Sequence, residues 1–199
     1  MNVLTYPIAV DDNDTTNVNE AITVSVLDND SDTDGTLDPN SVTTTGVLAP
    51  LNGTIETINP ITGEITYTPD TDFVGVDSFQ YIVCDNDGLC DTAMVLITTL
   101  GPPTAINDEV ITVETTPVTI DVLANDSDLD GILDPSTVTI TNTPNNGSIT
   151  NIDPITGEVT YEANPNFTGI DIFEYEVCDT DGNCTTATVE ITVLGELVA

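Results

Sequence analysis

The sequence predicts an all-β protein of two tandem seven-stranded Greek-key β-sandwich domains, residues 1–101 and 102–199. Val and Ile together number 40 against 13 Leu, and β-branched side chains favour strands. Short alternating apolar runs are separated by turn residues along the chain, and no stretch shows a helical period. The second half also repeats the first at a spacing of about 95 residues, which is the size of one sandwich domain.

The internal repeat sets the domain boundary. Residues 9–43 align with 105–139 at 17 of 35 positions, and residues 52–98 align with 146–192 at 27 of 47 positions. Between the copies lies a short linker that contains two prolines, so we expect a stiff joint. The junction sequence recurs near both ends of the chain, so we expect the two domains to belong to a longer array.

The strand signals follow the same order in both domains. Apolar and polar residues alternate around residues 22–26 and 79–83, and again around 118–122 and 173–177. Asn-Gly and Thr-Gly pairs separate the runs and predict tight turns. From these runs we expect seven strands per domain, A to G, in two sheets.

The charge of the chain narrows the classes of function. There are 35 acidic residues and no Lys, Arg or His, which gives a formal net charge of −35. Nucleic acids and anionic membrane surfaces are bound through basic side chains, so neither is an expected partner. Catalytic triads, Schiff bases and phosphoryl clamps need His, Lys or Arg, so we expect no enzyme. The 57 Leu, Ile, Val and Phe residues nevertheless predict a folded chain, because disordered chains are poorer in them.

Carboxylates concentrate in one loop of each domain. The spacing Asp-x-Asp-x-Asp-Gly occurs at residues 30–35 and 126–131, where alternate side chains can converge and glycine allows a sharp turn. Oxygen ligands at this density suit Ca²⁺. An EF-hand is excluded, because Ser41 or Thr137 stands where the bidentate Glu belongs. The alternative is a merely solvated acidic turn; the recurrence of the spacing in a chain without bases favours calcium.

Two further acidic turns recur in each domain, one near its start and one after strand F. In a Greek-key sandwich these turns and the loop after strand B share one end, so we expect a calcium site at this N-terminal pole. The predicted ligands of domain 1 are Asp11, Asp12, Asp30, Asp32, Asp34, Asp85 and Asp87, with Asp70, Asp72 and Asp77 in the loop between strands E and F at its far pole. Those of domain 2 are Asn107, Asp108, Asp126, Asp128, Asp130, Asp179 and Asp181. Asn164 and Asn166 make the far pole of domain 2 a weaker cation site.

Several segments carry a resemblance to known proteins. These segments are residues 9–12, 26–35, 52–55, 63–69 and 73–81, and they recur in the second copy. Together they resemble the tandem cadherin-like or bacterial Ig-like repeats of very large secreted adhesins. The cysteine pairs and the absence of basic residues depart from the commoner repeat. In these two features the chain resembles gliding or attachment adhesins of Bacteroidota. The resemblance implies extracellular arrays whose joints are stiffened by Ca²⁺, here bridging the far pole of domain 1 and the N-terminal pole of domain 2.

Each domain contains one Cys-x5-Cys pair, Cys84 with Cys90 and Cys178 with Cys184. Alternation turns both partners of a pair outward, on one face of the F–G hairpin and on opposite sides of its turn. We therefore expect two intradomain disulfides and an oxidising compartment.

The sequence favours a structural role over a binding pocket. Near-duplicate domains indicate a repeated mechanical part, so we expect a calcium-rigidified stalk or extender of a cell-surface adhesin, located outside the cell. The alternative is a calcium-stabilised carbohydrate-binding module of a secreted enzyme, but Trp, the usual sugar platform, is absent. Neighbouring repeats are the expected partners, with a surface glycan or protein ligand bound through other regions. No apolar run reaches the roughly 18 residues of a membrane span, and no basic leader is present, so we expect mature sequence without membrane insertion.

Overall fold

The computed structural model describes residues 4–195, and these residues divide into two compact units between Gly101 and Pro102. Strands are the only regular elements of the described residues, seven in each unit. The predicted all-β class and the predicted number of strands are therefore confirmed.

Unit 1 is a sandwich of a four-stranded and a three-stranded sheet. The four-stranded sheet has the order β1-β7-β6-β3 and the three-stranded sheet the order β2-β5-β4. Its strands are β1 (Asp12–Asn17), β2 (Ile22–Val24), β3 (Leu37–Thr43), β4 (Gly53–Ile58), β5 (Ile65–Pro69), β6 (Gly75–Asp85) and β7 (Cys90–Leu100).

Unit 2 repeats this architecture with the sheet orders β10-β13-β14-β8 and β11-β12-β9. Its strands are β8 (Asp108–Val113), β9 (Val118–Ile120), β10 (Leu133–Asn142), β11 (Gly147–Ile152), β12 (Val159–Ala163), β13 (Gly169–Asp179) and β14 (Cys184–Leu194).

The core of each unit follows the two-residue period of its long strands. Along β6 every second residue is buried, and Phe79, Tyr81 and Val83 have no exposed surface. In β5 the same period buries Ile65 and Tyr67. Inward residues of the two sheets form one apolar cluster per unit, and burial of this surface is the main source of stability.

The first and last strands of each unit run parallel to each other. In unit 1 the register runs from Asp12 opposite Val95 to Asn17 opposite Leu100, and β8 and β14 pair in the same way in unit 2. Because β7 begins at the hairpin that follows β6, this pairing brings the start of the unit to that hairpin.

Three acidic segments consequently lie at one end of unit 1. The strand β3 starts opposite the end of β6, with Leu37 paired to Asp85, so the loop 25–36 reaches the same end as the hairpin turn 86–89. We call this end of each unit, with the start of β1 or β8, the acidic pole, and the other end the opposite pole.

Both predicted disulfides are confirmed, Cys84–Cys90 and Cys178–Cys184. Each bond joins directly paired residues of the hairpin that ends at the acidic pole. The two-residue period of β6 and β13 turns these side chains away from the core, as the sequence predicts.

Candidate metal centre

At the acidic pole of unit 1, side chains tie down the segment that enters the first strand. The backbone N–H of Val10 donates to Asp30 Oδ1 at 2.7 Å, and the Asn29 amide donates to the carbonyl oxygens of Val10 and Asp11 at 3.3 and 3.2 Å. Asp11 Oδ1 in turn accepts from the N–H of Met94 at 2.8 Å. The entering segment is therefore fixed to the loop 25–36 and to β7 of its own unit.

Unit 2 reproduces these contacts. The N–H of Ile106 donates to Asp126 Oδ1 at 2.8 Å, and the Asn125 amide donates to the carbonyl oxygens of Ile106 and Asn107. The N–H of Thr188 donates to Asn107 Oδ1 at 3.0 Å. Asn107 takes the place of Asp11, so this contact depends on a side-chain oxygen and not on its charge.

A buried tyrosine links the core to the acidic pole. Tyr81 has no exposed surface, and its hydroxyl donates to Asp30 Oδ2 at 2.7 Å, 2.9 Å from the Val26 carbonyl oxygen. Tyr175 and Asp126 form the same pair at 2.8 Å. Burial and the adjacent carboxylate raise the pKa of both tyrosines, so each hydroxyl remains a donor.

The turn of the β6–β7 hairpin contributes a second group of oxygens. Asp85 is only 4% exposed, and its Oδ1 accepts from the N–H groups of Asp87 and Leu89 at 2.8 and 2.9 Å. Asn86 pairs with Thr36 twice, through its amide oxygen and through its backbone N–H, and so joins the turn to the loop 25–36. In unit 2, Asp179 is equally buried and accepts from Asp181 and Asn183.

Glycine allows oxygens of the acidic pole to approach the backbone closely. A Cβ at Gly35 would lie 2.5 Å from Asp32 Oδ2 and would overlap Asn86 Oδ1. A Cβ at Gly131 would lie 2.5 Å from Asp128 Oδ2 and 3.1 Å from Asp181 Oδ2. The glycine of the Asp-x-Asp-x-Asp-Gly spacing is thus required by the close approach of side-chain oxygens.

Several buried carboxylate oxygens at the acidic poles have no hydrogen-bond partner. Within residues 4–195, six buried side-chain polar atoms lack a partner, and five of them are carboxylate oxygens. The sixth is the hydroxyl of Thr99. All five carboxylates lie at an acidic pole: Asp12, Asp32 and Asp85 in unit 1, and Asp108 and Asp128 in unit 2. A buried anionic oxygen without a partner is costly, and a bound cation removes that cost.

The electrostatics of both poles agree with this interpretation. Burial and then the neighbouring Asp30 raise the pKa of Asp12 to about 7. Burial and then Asp126 raise the pKa of Asp108 to about 6. Burial also raises the pKa of Asp128, with Asp130 and Asp179 adding to the rise. No basic side chain exists in the chain to offset this repulsion.

The remaining predicted ligands are placed differently. Asp34 is exposed and accepts from the backbone and hydroxyl of Thr5, which lowers its pKa. Asp70 and Asp72 are exposed in the loop after β5, at the opposite pole, where Asp72 pairs with Asn19.

Asp77 requires a correction, because it lies within β6 and not in the predicted loop. It is 4% exposed, and both of its oxygens accept hydrogen bonds. The donors are the N–H groups of Leu51, Asn52 and Ser78 and the hydroxyl of Tyr67. Asp77 is therefore part of the internal hydrogen bonding of the sandwich, as is Asp171 in unit 2.

Within the described residues, one group of three metal-binding side chains has its ligand atoms all within 4.8 Å: Glu176, Cys178 and Cys184. The disulfide occupies both sulfurs, so this group is no metal site. The acidic-pole oxygens are more widely spaced. Their chemistry nevertheless fits a hard divalent cation such as Ca²⁺, because the unpartnered atoms are all carboxylate oxygens.

Sequence reasoning missed the tyrosine and asparagine that organise the pole. Tyr81 and Tyr175 fall on inward positions of β6 and β13, where alternation alone predicts core packing. The available signal was that the same inward position is tyrosine in both copies, because a buried phenol needs a polar partner. Asn29 and Asn125 precede the first aspartate of the spacing in both copies, and this position was also a usable signal.

A model of the bacterial Ig domain matches residues 5–98 and again residues 101–192. The chain belongs to the bacterial Ig domain family. No curated protein sequence matches it. Domains of this family are typically extracellular. No part of residues 4–195 is a helix with the length and apolarity of a transmembrane span.

Solved structures with related folds include cadherins. The human desmocollin-1 ectodomain aligns with a TM-score of 0.51 and 19% identity, over 96% of this chain and 42% of that chain. Drosophila N-cadherin domains 1–4 align at 0.39 and 14%, over 96% and 50% of the two chains. An endo-fucoidan hydrolase of glycoside hydrolase family 107 aligns at 0.34 and 18%, over 96% and 29%. The first of these likenesses supports the cadherin-like sandwich fold, and this chain spans less than half of that ectodomain.

Proposed function

We propose that this chain is a calcium-rigidified extracellular repeat segment, the stalk or extender of a cell-surface adhesin. The observation that carries the proposal is the set of five buried, unpartnered carboxylate oxygens at the acidic poles. Those of Asp12 and Asp32 recur as those of Asp108 and Asp128 at the same end of unit 2, in a chain without a single basic side chain. A divalent cation supplies the positive charge that the chain itself lacks.

The candidate cation ligands in unit 1 are Asp12, Asp32 and Asp85, which come from three separate segments and do not all have their ligand atoms within 4.8 Å of one another. Asp12 begins the first strand, Asp32 lies in the loop 25–36, and Asp85 ends β6. Joining these segments fixes the direction in which the chain enters the unit. The hydrogen bond from the N–H of Val10 to Asp30 already orients that entry, so little further ordering is needed.

The counterparts in unit 2 are Asp108 and Asp128, with the buried Asp179 beside Asp128. The entry segment of unit 2 directly follows the linker at Pro102, so fixing it restricts the linker as well. An array of such units would behave as a stiff spacer that holds an adhesive region away from the cell surface.

A sugar-binding module is less well supported. A groove of about 280 Å³ in unit 1 is lined by Thr44, Ala49, Pro50, Gly53, Thr54 and Ile55. It has no aromatic platform and no charged side chain, which sugar sites normally use.

Thermal unfolding with calcium and with a chelator tests the proposal. Binding to the folded state alone adds about 2.7 kcal/mol when calcium is at 100 times its Kd. For units of this size that corresponds to a rise in Tm of roughly 10–20 °C. Magnesium at equal ionic strength is the control, because its octahedral geometry and reluctant dehydration suit this arrangement less well.

Small-angle scattering under the same two conditions tests rigidification. We expect the scattering of a narrower range of conformations with calcium than with chelator. A Tm and a scattering profile that are both unchanged by calcium would contradict the proposal. Antibody labelling of intact cells tests the surface location, and a signal only after cell lysis would contradict it.

A further inference from the structure

We infer that unit 2 carries a docking surface for a protein segment with apolar side chains at one end and Lys or Arg at the other. The surface is the outer face of its four-stranded sheet, formed by the side chains of β8, β13 and β14 that point away from the core. Binding at this surface goes beyond the proposed stalk role and does not depend on calcium, because none of its residues is a candidate cation ligand.

An apolar patch covers the end of this outer face that is nearer the opposite pole. Its side chains are 39 to 70% exposed. The register places Ile111 and Ile170 on either side of Thr192, and Val113 beside Leu194. Because neighbouring strands lie about 4.8 Å apart, the aliphatic side chains are in contact range of one another. The patch consists of Ile111, Val113, Ile170, Ile172 and Leu194.

Glutamates continue the same face toward the acidic pole. They are Glu109, Glu174, Glu176 and Glu190. Glu109 and Glu190 are directly paired between β8 and β14, and Glu190 has Ile172 of the patch on its other side. Like charges in paired positions repel, and the sequence contains no basic side chain to balance them. An apolar patch and uncompensated carboxylates therefore adjoin on one face.

Unit 1 shows that the sandwich fold does not require this combination. At three positions of the apolar patch the equivalent face of unit 1 carries polar residues, Thr15, Asn17 and Ser78 in place of Ile111, Val113 and Ile172. At the four glutamate positions it carries uncharged residues, Asn13, Gln80, Ile82 and Leu96. The strand order is the same in both units. A contiguous exposed apolar patch beside polar residues is typical of an interaction site.

The charge of the surface determines which kind of partner fits it. A second copy of this chain would bring four more glutamates against these four, in molecules that each have a net charge of −35. Lys or Arg of a different protein would pair with the glutamates, while apolar side chains of the same segment would cover the patch. Residues 170–176 of β13 span the face over about 20 Å, which is the length of about seven extended residues.

Fluorescence anisotropy with synthetic peptides and the full two-unit chain tests the inference, at about 0.15 M salt. The probe is a labelled peptide whose first half alternates Val with Thr and whose second half alternates Lys with Thr. One reference peptide has Glu in place of Lys, and the other has Ser in place of Val. We expect the chain to bind the probe, and to bind each reference peptide at least about tenfold more weakly.

A variant built from the residues of unit 1 tests the apolar patch. Ile111→Thr/Val113→Asn/Ile172→Ser leaves the net charge unchanged, and we expect it to weaken binding of the probe about tenfold. Ile155→Thr is the control, because Ile155 is 83% exposed in the turn between β11 and β12, outside this face. It should bind the probe as the wild type does. Far-UV circular dichroism and Tm check the folding of both variants.

Glu109→Gln/Glu190→Gln tests the acidic part of the surface, and it should weaken binding several-fold and reduce the dependence of binding on salt. The inference is overturned if the probe does not bind at millimolar concentration. It is also overturned if Ile111→Thr/Val113→Asn/Ile172→Ser binds the probe as tightly as the wild type does, since attraction to the overall charge would then explain binding. Sedimentation that shows a wild-type dimer, abolished by this triple variant, would overturn it in favour of a second copy.

Discussion

The two poles of unit 1 each contain a buried tyrosine that donates to a carboxylate, yet the pKa of one carboxylate is lowered and that of the other is raised. At the opposite pole, Tyr67 donates to Asp77 at 3.0 Å. At the acidic pole, Tyr81 donates to Asp30 at 2.7 Å. Three backbone N–H groups also donate hydrogen bonds to Asp77. Asp30, in contrast, lies beside Asp12, whose Oδ2 has no hydrogen-bond partner.

The difference shows that burial alone does not create demand for a cation. Burial raises the pKa of Asp77, but three backbone N–H groups and Tyr67 lower it more, so the pKa lies below its ordinary value. For Asp12 burial and the adjacent Asp30 act in the same direction, and the pKa rises to about 7. What separates the poles is the number of N–H donors that the backbone directs at each carboxylate.

The largest expected effect belongs to Asp77→Asn. The new amide group would place a donor against the backbone N–H groups that donate to Asp77, so we expect a loss of about 3 kcal/mol in the free energy of unfolding. Urea denaturation should show the same loss in calcium and in chelator. Asp171→Asn is the matched variant in unit 2. A loss that appears only in calcium would place Asp77 among the metal ligands and break the comparison.

Removing the disulfide at the acidic pole should have the next largest effect. Cys84→Ser/Cys90→Ser opens a seven-residue ring that contains Asp85, and the loop-entropy relation gives about 2 kcal/mol. Calcium affinity should also fall, because the hairpin turn becomes less ordered. Denaturation and calcium titration measure the two effects, and Cys178→Ser/Cys184→Ser should repeat them in unit 2. Unchanged affinity in both variants would mean that the hydrogen bonds of Asp85 and Asn86 hold the turn without the disulfide.

Asp12→Asn should have a smaller effect whose sign depends on calcium. In chelator the substitution removes like-charge repulsion with Asp30, so we expect stability to rise by about 1 kcal/mol. In calcium it removes a ligand, so the stabilisation by calcium should shrink. Paired urea denaturation curves measure this. A loss of stability in chelator would show that the ionised Asp12 is not a source of repulsion.

The smallest expected effect is a pH dependence in chelator. A carboxylate with a raised pKa stabilises the folded state fully below its unfolded pKa of about 3.8, and this contribution is lost as pH rises through the folded pKa. Tm in chelator should therefore fall between about pH 4 and pH 7, because Asp12 and Asp108 titrate near 7 and 6. Asp12→Asn/Asp108→Asn should flatten the profile. A rise in Tm over this range would contradict the assignment.

Much of the fold was predictable, because period-two alternation is strong in this sequence. The same alternation that turned Cys84 and Cys90 outward also predicts their pairing across the hairpin, which the structure confirms. Applied backwards from Phe79, it places Asp77 inward as well, so the wrong loop assignment of Asp77 was avoidable.

The different roles of the acidic residues at the acidic pole were harder to predict from the sequence. Loop residues have no period. The sequence therefore predicts that Asp12, Asp30 and Asp32 lie at one pole, but not which of them keep an oxygen without a hydrogen-bond partner. The structure separates Asp30, whose two oxygens accept from Val10 and Tyr81, from Asp12 and Asp32, which keep free oxygens. That distinction depends on distances between segments far apart in the chain, which spacing does not encode.

The parallel pairing of β1 and β7 has a mechanical consequence. The chain enters β1 at the acidic pole and leaves β7 at the opposite pole, so a pulling force on the two ends draws these strands past each other along their length. The six residue pairs between Asp12–Asn17 and Val95–Leu100 then bear the load in shear and must yield together, not one after another. A unit strained in this direction resists extension better than one whose terminal strands peel apart at one edge, a useful property for a tether.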